Sequence, residues 1–571
     1  MSITANINEK ANLIWSIADK LTGVYKPHEY GEVILPLTVI RRFDCVLADT
    51  KEAVLKKNEA VGNLPMKDVF LCRESSYSFY NTSRFDFEKL LAEPDGIEAN
   101  FRAYINGFSE NVRNIIEKFN FDSQITRLAE KNLLYIVIEE FTKPTADLHT
   151  DTISNLEMGY IFEEIIRRFS ESHNEDAGQH YTPREVIELM VNILFYNDSE
   201  LLTGDIAKTI YDPACGTGGM LSVSEDYLKK FNNKAQLICF GQEINDQTYA
   251  ICKADMLIKN EDADRIRNGN TLADDQFKED KFDYILSNPP FGREWKNDKS
   301  AIEDEAKLGF AGRFGAGLPA VGDGQMLFLQ TAISKMKPQG SRIAIIHNGS
   351  PLFTGDAGSG PSEIRKYILE NDLLEAIVAL PNDIFYNTGI ATYIWVLSNK
   401  KPAYRKGKVQ LINANELYEK RRKSLGNKRN DIPKHYINEV TKLYGEFKES
   451  EISKIYDNEE FGYAKIVVER PTLDEDGQPV LKNGKKVADT KLRDTENIPL
   501  KEDIKEYFAR EVLPFAPDAW IDKKKTKIGY EIPFTRYFYK YNQPRSAVEI
   551  MAEIMDIETE LGGVLEEIFN D

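Results

Sequence analysis

The stretch KTIYDPACGTGGM, residues 208–220, read with AQLICFGQE at 235–243 and FDYILSNPP at 282–290, decides the fold. Each is a short β-branched and aromatic run that ends abruptly in Gly, Asp, Asn or Pro. Helical patterns fill the gaps at 219–231 and 245–259. The alternation continues with SRIAIIHN (341–348) and LLEAIVALP (373–381), with a helical pattern at 324–337 before them. Near-continuous apolar strands separated by helices predict an α/β fold with a mostly parallel, doubly wound sheet. ATYIWVLSNK (391–400) follows too closely for a helical crossover and is predicted to lie antiparallel to its neighbour.

Outside this block the pattern changes. Residues 1–150 read as an N-terminal helical domain. Leu13, Ile14, Ile17 and Leu21 recur at helical spacing, 33–46 is an apolar-rich segment beginning near Pro36, and a helix is expected over 127–141. Residues 151–455 hold the α/β domain, and 456–571 form a C-terminal region with a helical tail. In that tail Ile550, Ile554, Ile557, Leu561, Val564 and Ile568 make a heptad seam. It suits packing on its own domain and pairing with another chain equally, and Gly562-Gly563 is expected to interrupt it. The glycine-rich stretch 293–324 reads as a long functional loop. Asn483-Gly484 predicts a hairpin turn.

The chain has 571 residues, enough for two to four domains at about 150 residues each. Lys and Arg total 73 against 92 Asp and Glu, a net charge of −19. That excludes a protein that coats nucleic acid through its overall field. It leaves room for a local basic groove: KRRKSLGNKR (420–429) carries six basic residues, which could track phosphates or cover a solvated helix end, and KKKTK (523–527) is similar. Five scattered cysteines without a CxxC argue against a disulfide framework or a zinc site and for the cytoplasm. No run approaches the ~18–20 apolar residues of a membrane span, and the first residues lack a secretory pattern.

Three elements carry chemistry. DPACGTGGM (212–220) leaves a strand and opens a helix, and its glycines let the backbone turn sharply against a ligand. It is neither GxGxxG nor a P-loop. Glu243 ends the next strand, where it would share a crevice with Asp212 and could accept from both hydroxyls of a ribose. NPPF (288–291) follows a third strand. Two prolines fix the backbone and remove two donors, so the Asn288 side-chain oxygen and the Pro289 carbonyl can face one exocyclic amino group. Phe291 offers a face for a base.

DPACGTGGM with NPPF resembles the S-adenosylmethionine-dependent methyltransferases that make N6-methyladenine in DNA. AGQHYTPREVIELMV (177–191), GQEINDQTYAICKADM (241–256), GNTL (269–272), IWSIADKLTGVYKPHEYGEVILPLTVIRRF (14–43) and GYEIPFTRYFYKY (529–541) extend the resemblance. Over nearly the whole chain, the sequence is similar to the modification (M) subunit of type I restriction–modification systems. The resemblance implies a Rossmann-like methyltransferase domain and a C-terminal segment that contacts the specificity (S) subunit. It further implies a working enzyme of two M subunits and one S subunit acting on DNA, joined by a restriction (R) subunit in the nuclease form.

Carried over by position, Gln179, His180, Tyr181, Thr182, Pro183 and Arg184 would lie against the methionine part of S-adenosylmethionine. Asp212, Gly216, Thr217, Gly218 and Gly219 would hold its amino-acid end. Glu243 would bind the ribose and Asn270 the adenine. His180 is read as packing or lining, since the chemistry requires no histidine. Asn288, Pro289, Pro290 and Phe291 would form the catalytic corner. No metal is required. The target base must leave the duplex, and 293–324 is a candidate to close over it. Alternative readings are a standalone N6-adenine DNA methyltransferase that reads its own site, an NPP[FY] enzyme acting on protein glutamine or ribosomal RNA, and a non-catalytic cofactor-binding scaffold.

Overall fold

A computed structural model describes residues 3–62, 64–171, 182–386, 388–541 and 545–570. The chain divides into two compact units, one up to Ile532 and one from Pro533.

The first unit is built on a nine-stranded sheet. Its strands are β1 (Ala207–Asp212), β2 (Gln236–Glu243), β3 (Ile266–Asn268), β4 (Tyr284–Ser287), β5 (Arg342–Asn348), β6 (Leu374–Ala379), β7 (Thr392–Ser398), β8 (Lys408–Asn413) and an edge strand, Ser453–Asp457. From that edge strand the order runs β8, β6, β7, β5, β4, β1, β2, β3. All pairings are parallel except those of β7 and of the edge strand. β6 and β7 are buried along their whole length, which is why their sequences run apolar without alternation. The short link into β7 makes it run antiparallel between β5 and β6, as expected. The expected boundary at 455/456 falls inside the edge strand, which completes the sheet by pairing with β8.

The amino-terminal region is helical, with three differences from the sequence reading. Helix Tyr30–Leu47 begins six residues before Pro36 and carries that proline in its interior. The missing amide costs a hydrogen bond, but Val33, Ile34, Leu35, Leu37, Val39 and Ile40 are all buried, and this apolar burial outweighs the loss. The helix expected over 127–141 is two, Phe121–Glu130 and Leu134–Thr142. Asn132 breaks it at φ +58, with the Leu133 amide donating to the Leu128 carbonyl and the Asn132 amide to Ala129, a left-handed helix stop. Third, this region is not a separately cored domain: one hydrophobic cluster runs from Ile14 and Phe43 through Ile165 and Leu194 to the sheet residues Ile210, Leu286 and Ile346.

Arg42 holds the junction. It is buried, donates to the carbonyls of Leu148 and Ile153 (2.8 Å for the latter), and reaches Asn155 Oδ1 at 2.7 Å. Arg42→Met is expected to leave these buried acceptors unpaired and destabilise the protein by about 3 kcal/mol. The check is the urea unfolding midpoint; an unchanged midpoint would contradict the role.

Beyond the edge strand the first unit is β-rich, and the expected tail helix follows only after it in sequence. Gly462–Glu469 pairs antiparallel with Asp494–Pro499, Trp520–Ile521 and Lys527–Tyr530 around Ile466, Val468 and Ile498. The Asn483-Gly484 hairpin forms with both residues at positive φ. The basic run 420–429 is also a hairpin, β9 (Glu419–Leu425) with β10 (Lys428–Asp431), and not a helix end. The stretch 293–324 is no open loop: it contains helix Lys299–Ala306 and is knitted together through Arg313 and Trp295. In the second unit, helix Ala547–Asn570 runs through Gly562-Gly563 without the expected interruption. Ile550, Ile554 and Ile557 of its seam are exposed.

Candidate functional site

β4, β1 and β2 lie side by side, so the three chemistry-bearing segments leave the same edge of the sheet. Asp212 ends β1 and is fully buried. Its Oδ1 accepts from the Ala214 amide (3.0 Å) and from the Ser287 hydroxyl (2.8 Å), the residue just before Asn288. Its Oδ2 has no partner among the described residues. Burial without a counter-ion pushes the Asp212 carboxyl up to about 7, with the nearby Glu243 charge adding to the shift.

The bend after Asp212 needs glycine at two positions. Gly218 has φ +82, and a Cβ there would stand 2.7 Å from Cys252 Sγ. A Cβ at Gly219 would stand 2.4 Å from Glu163 Oε1. Glu243, at the end of β2, closes the bend from the other side. Its Oε2 accepts from the Gly216 amide and its Oε1 from the Asn245 amide, both at 2.8 Å, and burial raises its carboxyl.

The Asn288 side chain is fixed in one orientation. Its Nδ2 donates to Thr182 Oγ1 at 3.0 Å, and its Oδ1 is buried with no partner among the described residues. Phe291 is half-buried and meets Phe385 edge-on, ring centres 6.3 Å apart.

A cleft of about 720 Å³, mouth included, opens between these segments. Pro213, Ala214, Glu243, Asn270, Asn288 and Pro290 line it, so the glycine bend and the Asn-Pro-Pro corner share one opening. Asn270 lines it with its Oδ1 already accepting from the Leu272 amide. Arg184, Thr217 and Gly219 do not meet there. They line a second hollow of about 480 Å³ with residues of helices Tyr30–Leu47 and Asn155–Glu171. Arg184 is held by both Glu163 oxygens at 2.6 Å and donates to the Gly219 carbonyl at 2.9 Å. It therefore braces the bend from behind. Pro183 caps helix Arg184–Phe195. Gln179, His180 and Tyr181 lie outside the described residues.

Two cleft residues were not legible in the sequence. Asn245 caps helix Asp246–Ile258 through the Gln247 and Thr248 amides, a role that its place before a helical pattern could have signalled. Trp295 forms a buried wall, its indole N–H donating to the Ala320 carbonyl at 3.0 Å, with no local signal to announce it. Among the described residues no group of three metal-ligating side chains converges, and no helix is long and apolar enough to cross a membrane.

A doubly wound sheet with carboxylates ending adjacent strands and an Asn-Pro-Pro corner beside them defines a Rossmann-like methyltransferase. The chain belongs to the N-6 DNA methylase family, whose model matches residues 154–475, and residues 10–141 match the HsdM N-terminal domain. By family it is an adenine-specific DNA methyltransferase. It is 27% identical over 519 residues to the methylase subunit of the type I restriction enzyme MjaIX of Methanocaldococcus jannaschii, with 87% of each chain covered. It is 30% identical over 281 residues to the HindI methylase subunit of Haemophilus influenzae, covering 48% of this chain and 58% of that one. In fold it is similar to the methyltransferase subunit of a type I restriction–modification system from Streptococcus thermophilus, with TM-score 0.63 and 21% identity over 80% of this chain and 97% of that one. A second solved structure, from a study of type I system assembly, aligns at TM-score 0.50 and 19% identity over 98% and 97% of the two chains.

Proposed function

We propose that this DNA methyltransferase places a methyl group from S-adenosylmethionine on N6 of an adenine turned out of the duplex, as the modification subunit of a type I complex. The observation that carries the reading is Asn288: a buried, unpartnered acceptor oxygen at the rim of a cleft it shares with a glycine bend. The residues fit the donor. The orphan Asp212 Oδ2 suits a cationic amino group, and Glu243, already accepting two amides, keeps lone pairs for hydroxyls. Arg184 acts at one remove by holding the bend, and the Asn270 oxygen would have to share its turn bond to meet an adenine.

The chemistry the donor supplies when bound is a sulfonium-activated methyl group. The chain's own work is positioning. Adenine N6 is a weak nucleophile because its lone pair is delocalised into the ring. Hydrogen bonds from that amino group to Asn288 Oδ1 and the Pro289 carbonyl favour a pyramidal nitrogen whose lone pair is free. Thr182 keeps the Asn288 oxygen, and not its NH2, toward the substrate. Orientation of this kind is worth an effective molarity of about 10⁵ M or more. Phe291, held edge-on by Phe385, would stack on the base.

We infer that sequence recognition lies in an S subunit, since a chain of charge −19 has little general affinity for DNA. Two copies of the chain with one S subunit would form the methyltransferase, and an R subunit would add nuclease activity. The five cysteines are free thiols, as suits the cytoplasm. The test is to express the chain with and without an S-type partner and analyse DNA nucleosides. N6-methyladenine confined to specific sites is expected only with the partner. Absence of product in the complex would overturn the site, and tight sequence-specific binding by the chain alone would overturn the division of labour.

A further inference from the structure

We propose that the β9–β10 hairpin is the chain's own grip on the DNA backbone beside the target adenine. The inference rests on the methyltransferase reading and adds a binding surface to it. Residues 420–429 hold six basic side chains and no acidic one, in a chain of net charge −19. The hairpin separates them into two sets. Lys428 is buried and pairs with Glu185 and Asp431, and Arg421 pairs with Asp431. These two hold the hairpin in place. Lys420, Arg422, Lys423 and Arg429 are exposed and make no ion pair among the described residues.

The position of the hairpin gives that charge a purpose. It is sewn to the segment before β7: the Arg429 and Asn430 amides donate to the Asp383 carbonyl, the Asn427 amide to Tyr386, and Lys428 Nζ to Ile384. Within that segment Phe385 packs edge-on against Phe291 of the Asn-Pro-Pro-Phe corner. A second route leads to the same corner. Glu185, which holds Lys428, lies in the first turn of helix Arg184–Phe195, and Thr182 just before that helix holds Asn288. Both routes fix the basic hairpin next to the catalytic rim. Lys420 to Lys423 extends over about 10 Å at ~3.3 Å per residue, a length that follows successive phosphates of one strand. A base leaving the stack needs its flanking phosphates held while pairing is lost.

The test uses the complex of this chain with its S-type partner and duplex DNA containing the methylated site. K420Q/R422Q/K423Q/R429Q is expected to weaken DNA binding at least tenfold at physiological salt. The slope of log affinity against log salt should fall by about 3.6, since each of the four lost phosphate contacts removes roughly 0.9. Donor binding and the rate at saturating DNA should stay within a few fold of the parent. The double variant R422Q/K423Q, confined to two exposed positions of β9, should give about half the slope change and guards against misfolding. An unchanged slope in both variants would overturn the proposal. So would loss of the S partner on purification with the slope intact, which would assign the patch to a protein contact. A parent complex that yields no N6-methyladenine would sink the catalytic reading alone, because the salt slope is measured without turnover.

Discussion

Asn288→Ala is expected to lower methyl transfer by about 10³-fold or more, close to 4 kcal/mol of barrier, while donor affinity stays within a few fold. Among the described residues the side chain's Oδ1 is a buried acceptor at the cleft rim that no donor engages. Its loss removes a contact made most strongly when the amine pyramidalises, so the effect belongs in kcat rather than KM. The cost to folding is small. Only the bond to Thr182 is broken, worth about 1 kcal/mol. Single-turnover methylation with parallel donor-binding measurements checks this. Loss of donor binding together with activity would mean that Asn288 supports the fold.

Asp212→Asn should separate stability from function. The Asp212 carboxyl is raised to about 7 by burial. A folded value above the unfolded one means its stability contribution is complete below about 4 and is lost as pH rises through 7. A shift of about 3 units corresponds to roughly 4 kcal/mol at most. The ligand-free parent should therefore resist urea less at pH 8 than at pH 5.5. Asparagine keeps an acceptor for Ala214 and Ser287 and carries no charge, so the variant should be the more stable protein at pH 8. It should also lose at least tenfold in affinity for S-adenosylmethionine, because Asp212 Oδ2 is the oxygen left for its ammonium while Glu243 already accepts from the Gly216 and Asn245 amides and Glu163 is paired with Arg184. Parent affinity should climb by up to tenfold per unit below pH 7 and level off above it, with the raised Glu243 adding to the same trend. A variant with parental affinity and the parental pH profile would sink this role.

The arrangement explains why the bend and the corner are coupled. Asp212 supports Ala214 of the bend and Ser287 of the strand exit through one oxygen. Glu243 holds Gly216 from the neighbouring strand. A change at any of the three strand ends therefore moves both sides of the cleft. Arg184 and Glu163 apply the same constraint from the helical side.

Local sequence alone determined the strands β1, β2, β4, β5, β6 and β7, the helices after β1 and β2, the antiparallel course of β7 and the three strand-end motifs. Those features rest on interactions between near neighbours: apolar runs long enough to be buried on both faces, prolines and glycines that end them, and a link too short for a crossover. Tertiary packing alone decided the rest. One core fuses the helical front to the sheet, its buried residues running from Ile14 to Ile346. Arg184 is tied to the bend because Glu163, 21 residues earlier, holds its guanidinium against the Gly219 carbonyl. The basic run became a hairpin at the catalytic rim because Lys428 is satisfied by Glu185, 243 residues away. A side chain's partner across such a distance is fixed by the folded packing and not by its neighbours in sequence, so no local pattern could have announced it.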